Sequence, residues 1–244
     1  MIVHHEVTGP ADAPPLLLIN SLGADLRMWD PQLPALADRF RVIRYDARGH
    51  GRSPVPPGPY SLADLAGDAT ALLDHLGIGR AHVCGLSLGG MTAMWLAAHH
   101  PARVDRLVLC CTSALLGPPS AWAARAATVL SAGTGAVADA VVDRWVINAD
   151  KSYLRDMIAA TDPVGYAAAC AAIEHMDLRA DLPGITAPTL VIAGADDPAT
   201  PPSHGVAIAA AIPGARLEIV PGAHLATWEH AAIVNPLLLE ALDD

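Results

Sequence analysis

Apolar runs of strand length alternate with helix-patterned segments along most of this chain. Ile2 to Val7 reads as a strand and Pro15 to Asn20 as a buried apolar run. Pro31 to Asp38 suits a short helix and Phe40 to Tyr45 a further strand. Ser61 to Leu76 is patterned as a helix, with Ser61 as N-cap, Asp64 three positions on and Gly77 as its stop. Arg80 to Cys84 and Val104 to Cys110 read as strands flanking a helix from Leu88 to His100, which Pro101 ends. Pro188 to Ala193 is another strand, Ser203 to Ile212 a helix, Arg216 to Val220 the last strand and Ala231 to Leu242 the last helix. Such alternation predicts an α/β fold, a mostly parallel sheet with helices on both faces.

One stretch breaks the rhythm. From Cys111 to about Leu182 there is no strand pattern, only alanine-rich helical sequence interrupted by Gly117-Pro118-Pro119, Gly133-Thr134-Gly135 and Asp162-Pro163. Because it falls between two strands, this stretch is expected to form a small helical cap over the C-terminal strand ends, where it would exclude water and shape a pocket. The alternative is one long set of ordinary crossover helices. The expected division is a core of residues 1–113 and 183–244 with a cap of residues 114–182.

Composition narrows the class. The chain has 244 residues, long enough for one large core, and 52% are hydrophobic, which excludes disorder. No uncharged apolar run is long enough to span a membrane, and no secretory signal is visible at Met1 to Glu6. The four cysteines (Cys84, Cys110, Cys111, Cys170) form no C-x-x-C spacing or disulfide framework, so a reduced, cytoplasmic protein is expected. Net charge is −10 with no basic cluster, which argues against nucleic acid as a partner. The pairs His4-His5 and His99-His100 lack ligand-spaced carboxylates or cysteines and are read as structural rather than metal-binding.

Chemistry concentrates in Val83-Cys84-Gly85-Leu86-Ser87-Leu88-Gly89-Gly90, where G-x-S-x-G stands between a strand and a helix. Glycines there allow a sharp turn that presents the Ser87 hydroxyl at the positive end of the helix. A neutral serine is a poor nucleophile and needs a base, which in turn needs an orienting carboxylate. Asp196-Asp197 follows the strand ending at Gly194, and His224 follows the strand ending at Val220. Ser, then Asp, then His is the chain order of the α/β-hydrolase fold. In that family the acid lies three residues after the strand-ending glycine, with a proline four further on; Gly194, Asp197 and Pro201 meet this spacing and Asp196 does not. Asp197 is therefore the expected triad acid and Asp196 a turn residue. The oxyanion hole is expected from the amides of Leu88 and Leu22, the latter in Asn20-Ser21-Leu22-Gly23 where many such enzymes carry His-Gly.

Taken together, Asn20 to Gly23, Met28-Trp29-Asp30-Pro31-Gln32, Tyr45-Asp46-Ala47-Arg48-Gly49-His50-Gly51-Arg52-Ser53, Gly85 to Gly90 and Leu109-Cys110-Cys111-Thr112-Ser113-Ala114 resemble 3-oxoadipate enol-lactonase over nearly the whole chain. The resemblance implies a hydrolase of the β-ketoadipate pathway of aromatic breakdown, acting on a small carboxylated lactone with neither metal nor organic cofactor. It gives the Arg-Gly-His-Gly-Arg-Ser loop, and so His50, a structural role. It also implies two departures: the family's first strand has no counterpart before Ile2, and the cap is altered after Arg144-Trp145. A carboxylated substrate needs a local cation in so acidic a protein, and the cap offers Arg125, Arg144, Lys151 and Arg155, with Trp122 and Trp145 as pocket walls or core anchors. Two other readings stay open: a related esterase or metal-free perhydrolase with the same triad, and a non-catalytic small-molecule binder on the same fold. The sequence does not speak to oligomeric state.

Overall fold

A computed structural model describes residues 1–243. Seven strands form one sheet in the order β1-β3-β2-β4-β5-β6-β7: β1 (His5–Thr8), β2 (Pro15–Ile19), β3 (Arg41–Tyr45), β4 (Ala81–Leu86), β5 (Val104–Cys110), β6 (Thr189–Gly194) and β7 (Arg216–Val220). Every neighbouring pair is parallel except β1 with β3. The helices are α1 (Leu33–Ala37), α2 (Leu62–His75), α3 (Leu88–His99), α4 (Pro119–Ala132), α5 (Gly135–Trp145), α6 (Ser152–Ala159), α7 (Pro163–Glu174), α8 (Pro202–Ala211), α9 (Ala226–Glu229) and α10 (Ala231–Asp243).

Uninterrupted apolar runs in the central strands follow from burial on both faces. In β2, Leu17 and Ile19 join a core with Val83, Leu107, Leu109 and Val191 against α2, α3 and α8. Leu16 and Leu18 point the other way, into a second core with Cys84, Val108, Cys110 and Ile192 against α1 and α10. Each such side chain contributes roughly 1.5–3 kcal/mol by leaving water. Helix α3, sandwiched at the sheet centre, is correspondingly apolar on nearly all sides. The predicted start of α2 is a full capping box: Asp64 N–H donates to Ser61 Oγ at 3.1 Å, and Ser61 N–H donates to Asp64 Oδ2 at 2.9 Å.

The expectation differs by more than one residue at two strand ends. The first strand begins at His5, not Ile2: the His4 carbonyl still accepts from Asp46 N–H at 2.9 Å, but its own N–H turns aside to Ser53 Oγ and its ring meets Asp46. Among the described residues no strand lies outside β1, which forms the sheet's antiparallel edge. Strand β4 continues past Cys84 through Gly85 to Leu86, so the sheet carries the chain directly to Ser87.

Helices α4 to α7 lie between β5 and β6 and supply the stretch without strands. Helix α7 is seated on the sheet layer by close backbone contact. A Cβ on Gly49 would stand 2.5 Å from the Gly165 Cα, and Tyr60 N–H donates to the Ala168 carbonyl at 3.0 Å. Asp162 caps α7 by accepting from the N–H groups of Val164 and Gly165. The four cysteines are free and buried.

Candidate active site

Ser87 occupies the turn between β4 and α3 with φ 56° and ψ −116°, a conformation that costs a non-glycine residue on the order of 1–3 kcal/mol. The surroundings over-determine it. A Cβ on Gly85 would lie 2.2 Å from the Gly89 carbonyl oxygen, and one on Gly89 would lie 2.1 Å from that of Ile19. Ser87 N–H donates to the Cys110 carbonyl at 3.0 Å, and Thr112 Oγ1 donates to the Ser87 carbonyl at 2.7 Å. The strand ends of β4 and β5 thus hold the turn from both sides.

At the ends of β6 and β7, His224 Nδ1 lies 2.8 Å from Asp197 Oδ2. Asp197 is buried, and its carboxylate also accepts from Thr200 Oγ1 at 2.7 Å and from the N–H groups of Ala199 and Thr200. Burial opposes its ionisation, but the bond and charge of His224 together with the Thr200 donors outweigh that and hold the carboxyl below its ordinary range. Asp196 is exposed, and its N–H donates to the Gly222 carbonyl in the turn. Of the two carboxylates, only Asp197 meets the imidazole. Beside this pair, burial pushes the Cys111 thiol well up, so it stays neutral.

The loop after β2 is braced by its side chains. Asn20 Nδ2 donates to the Tyr45 carbonyl at 2.7 Å, Asn20 Oδ1 accepts from the Trp29 indole at 2.9 Å, and Ser21 N–H lies against Met28 Sδ. Among the described residues, the N–H groups of Leu22 and Leu88 have no protein acceptor. Gly23, at φ 79°, leaves room for the Tyr166 ring, whose Cε2 a Cβ there would meet at 2.9 Å.

Ser87, His224, Ser21 and Leu22 line one cavity of about 210 Å³ with Trp122, Arg125, Arg144, Trp145 and Tyr166 from the cap helices. The Arg125 guanidinium sits 4.6 Å above the Trp122 ring, whose indole N–H donates to the Leu116 carbonyl. Among the described residues neither Arg125 nor Arg144 is paired with a carboxylate. Burial first, and then the like charge of Arg125, hold the Arg144 pKa below its usual value. Lys151 and Arg155, the other two cap cations, are paired outside the cavity with Asp143 and Asp139. All four substrate-contact candidates, Trp122, Arg125, Arg144 and Trp145, therefore face the cavity that holds Ser87.

Residues 14–143 and 144–231 match the alpha/beta hydrolase fold family. The chain belongs to that family. Within the α/β hydrolases, it is 38% identical to 3-oxoadipate enol-lactonase 2 of Acinetobacter baylyi, over 96% of this chain and 90% of that protein. It superposes on the crystal structure of the enol-lactonase from Burkholderia xenovorans LB400 with TM-score 0.97 and 43% identity, covering 99% of this chain and 96% of the other. It is also 35% identical to the provisionally named carbamate hydrolase RutD of Variovorax paradoxus, over 99% of this chain and 96% of that one. This α/β hydrolase is thus a hydrolase by kinship as well as by fold.

Sequence reasoning missed Thr112, Thr200, Tyr166 and Glu229, whose carboxylate accepts from the N–H groups of Ile147, Asn148 and Ala149 just beyond α5. Thr200 carried a signal, a hydroxyl three residues after the candidate acid and next to Pro201. The other three meet their partners only through tertiary contact.

Proposed function

We propose that this chain is a serine hydrolase that opens a small carboxylated lactone, with 3-oxoadipate enol-lactone as the substrate and 3-oxoadipate as the product. Ser87 is the nucleophile, His224 the general base and acid, Asp197 the residue that orients and stabilises the imidazolium, and the Leu22 and Leu88 amides the oxyanion hole. Residues 114–182 act as the cap on a core of residues 1–113 and 183–244. The observation that carries the reading is the pair of carboxylate-free arginines, Arg125 and Arg144, in the same small cavity as Ser87. Two unpaired, partly desolvated guanidinium groups repel one another and favour an anionic ligand. The enol-lactonase relatives support the same substrate class.

In the proposed cycle Ser87 Oγ attacks the lactone carbonyl as His224 Nε2 takes its proton. The tetrahedral oxyanion is stabilised by the two backbone amides, each contributing roughly 3 kcal/mol. Collapse breaks the ring C–O bond, His224 protonates the departing enol oxygen, and the enol becomes the ketone. Water, deprotonated by His224, then cleaves the acyl-serine ester and regenerates Ser87. Between Ser87, His224, the leaving oxygen and the attacking water the acylation and deacylation protons balance, and the enol takes its carbon-bound proton from solvent as its hydroxyl proton leaves.

The test is a steady-state comparison of the enol-lactone with a neutral aryl ester, an alkyl carbamate, and an ester plus peroxide, together with fluorophosphonate labelling. The expected result is labelling at Ser87 and the highest kcat/KM for the lactone. Preference for the carbamate or a neutral ester overturns the substrate, and failure to label overturns the covalent mechanism in favour of a binder.

A further inference from the structure

We infer that the Tyr166 hydroxyl is a third donor for the anionic group of the ligand, set between the two cavity arginines and the oxyanion loop. This deepens the reading above and rests on an anion occupying the cavity.

Three observations carry it. Tyr166 is fully buried and lines the cavity with Ser87, yet no acceptor meets its O–H: the polar side chain beside the hydroxyl is the Arg125 guanidinium, which can only donate. A buried hydroxyl left unpaired costs the protein free energy, so its retention points to a partner that arrives with the ligand. Its position is also fixed. The ring packs on the Gly23 face of the oxyanion loop, while Gly165 beside it is seated on Gly49 and Ala168 two residues on accepts from Tyr60 N–H. Thr161, at the entry to α7, adds a bond from Oγ1 to the Gly23 carbonyl at 3.3 Å. The phenol is therefore preorganised rather than carried on a moving lid. Finally, the charges of Arg125 and Arg144 both reach this phenol, while burial pushes its pKa up to about 12, so it is a neutral O–H donor at any physiological pH. An acceptor-only group meeting all three donors is a carboxylate, which offers two oxygens and about four lone-pair directions. The same hydroxyl has no comparable partner in a neutral ester whose tail is a hydrocarbon.

Tyr166→Phe tests this because it deletes one oxygen and preserves the ring that packs on Gly23. Titration with glutarate, a linear dicarboxylate with no bond to hydrolyse, reads anion binding without depending on catalysis. The expected result is a Kd weaker by tenfold or more in the variant. The melting temperature of the ligand-free variant should be equal to or above that of the unmodified protein, since an orphaned hydroxyl has been removed. KM for the carboxylated lactone should rise in parallel, and by a clearly larger factor than KM for a neutral aryl ester. Unchanged glutarate affinity overturns the proposal, and so does a lowered melting temperature with equal losses on both substrates, which marks a structural hydroxyl. Glutarate binding that depends on Tyr166, in a protein that does not turn over the lactone, would leave the anion site standing and overturn only the proposed lactone substrate.

Discussion

The main-chain N–H of His224 donates to the carbonyl oxygen of Arg144 at 3.2 Å. One residue on, Leu225 N–H donates to the Trp145 carbonyl at 2.7 Å, so the loop bearing the imidazole is bonded to the end of α5 that bears two cavity-lining side chains. Glu229 extends the seam: its carboxylate accepts from the N–H groups of Ile147, Asn148 and Ala149. The parts of the chain proposed to hold the anion and to move the proton are therefore one hydrogen-bonded unit, although about eighty residues of sequence separate them.

The first prediction concerns the four cap cations. Arg125→Met and Arg144→Met should each raise KM for the carboxylated lactone by roughly tenfold to a hundredfold, the worth of a charge-assisted hydrogen bond. Methionine keeps much of the apolar stem. Lys151→Met and Arg155→Met should change it less than about twofold, since both cations are solvated and paired on the outer surface with Asp143 and Asp139. Kinetics of all four on the lactone and a neutral ester check this; an effect confined to Lys151 or Arg155 would reverse the assignment.

A second prediction follows from the seam. Glu229→Ala removes the acceptor of three main-chain donors of the 147–149 turn; those of Ile147 and Asn148 are exposed and turn to water, so the cost in stability is roughly 0.5–1.5 kcal/mol. The melting temperature should fall, and kcat/KM for the carboxylated lactone should fall further than for a neutral ester because Arg144 loses its support. Glu229→Gln retains a carbonyl acceptor and should lie between the two. Equal kinetics in all three proteins would show that the turn holds without the carboxylate.

The third prediction separates the adjacent carboxylates. Asp197→Asn should lower kcat by up to roughly 10⁴-fold, because an amide at that site favours the wrong imidazole tautomer and leaves the imidazolium unbalanced. Asp196→Asn alters an exposed turn and should cost little. Measured kcat values in the opposite order would move the triad acid to Asp196.

Why these features differed in legibility is itself physical. The elbow and the proposed acid and base stand at strand ends, where local sequence marks the turn: only glycine fits at positions 85 and 89, because a Cβ at either would strike backbone, and Asp197 N–H closes a tight turn on the Gly194 carbonyl. Strands buried on both faces also announce themselves, as Leu16 to Ile19 does. What stayed hidden depends on contacts across long sequence separation. Nothing near Tyr166 signals that its ring meets Gly23, and nothing near Glu229 signals the 147–149 turn. Arg125, Arg144, Lys151 and Arg155 look alike in sequence; only helix packing decides which pair turns inward.

The last prediction is a pH dependence of stability carried by His50, which is buried in the loop that seats α7. Its Nδ1 lies 3.1 Å from the Arg48 carbonyl, an acceptor only, so that nitrogen carries the proton. Nε2 is buried without a partner. Protonating Nε2 would place a charge where no acceptor waits. Burial accordingly lowers the His50 pKa, against weaker opposition from the Arg48 carbonyl and the Asp46 charge. In the unfolded chain the ring titrates near about 6.5. Between the lowered folded value and that figure, the unfolded state binds a proton that the fold does not, so stability rises with pH across this window. The contribution is fully present above about pH 6.5 and is lost as pH falls towards the folded value. His82, also lowered chiefly by burial, acts in the same direction, whereas the depressed Asp197 carboxyl adds its loss only below about pH 4. Urea midpoints should thus be flat from about pH 7 to 8 and should decline from about pH 6.5 to 5, with a shallower decline in His50→Gln and a shallower one still when His82 is also replaced. The comparison rests on slopes, so a uniform loss of stability in the variants does not affect it. An unaltered slope in His50→Gln would mean that the buried ring accepts its proton at no cost to the fold.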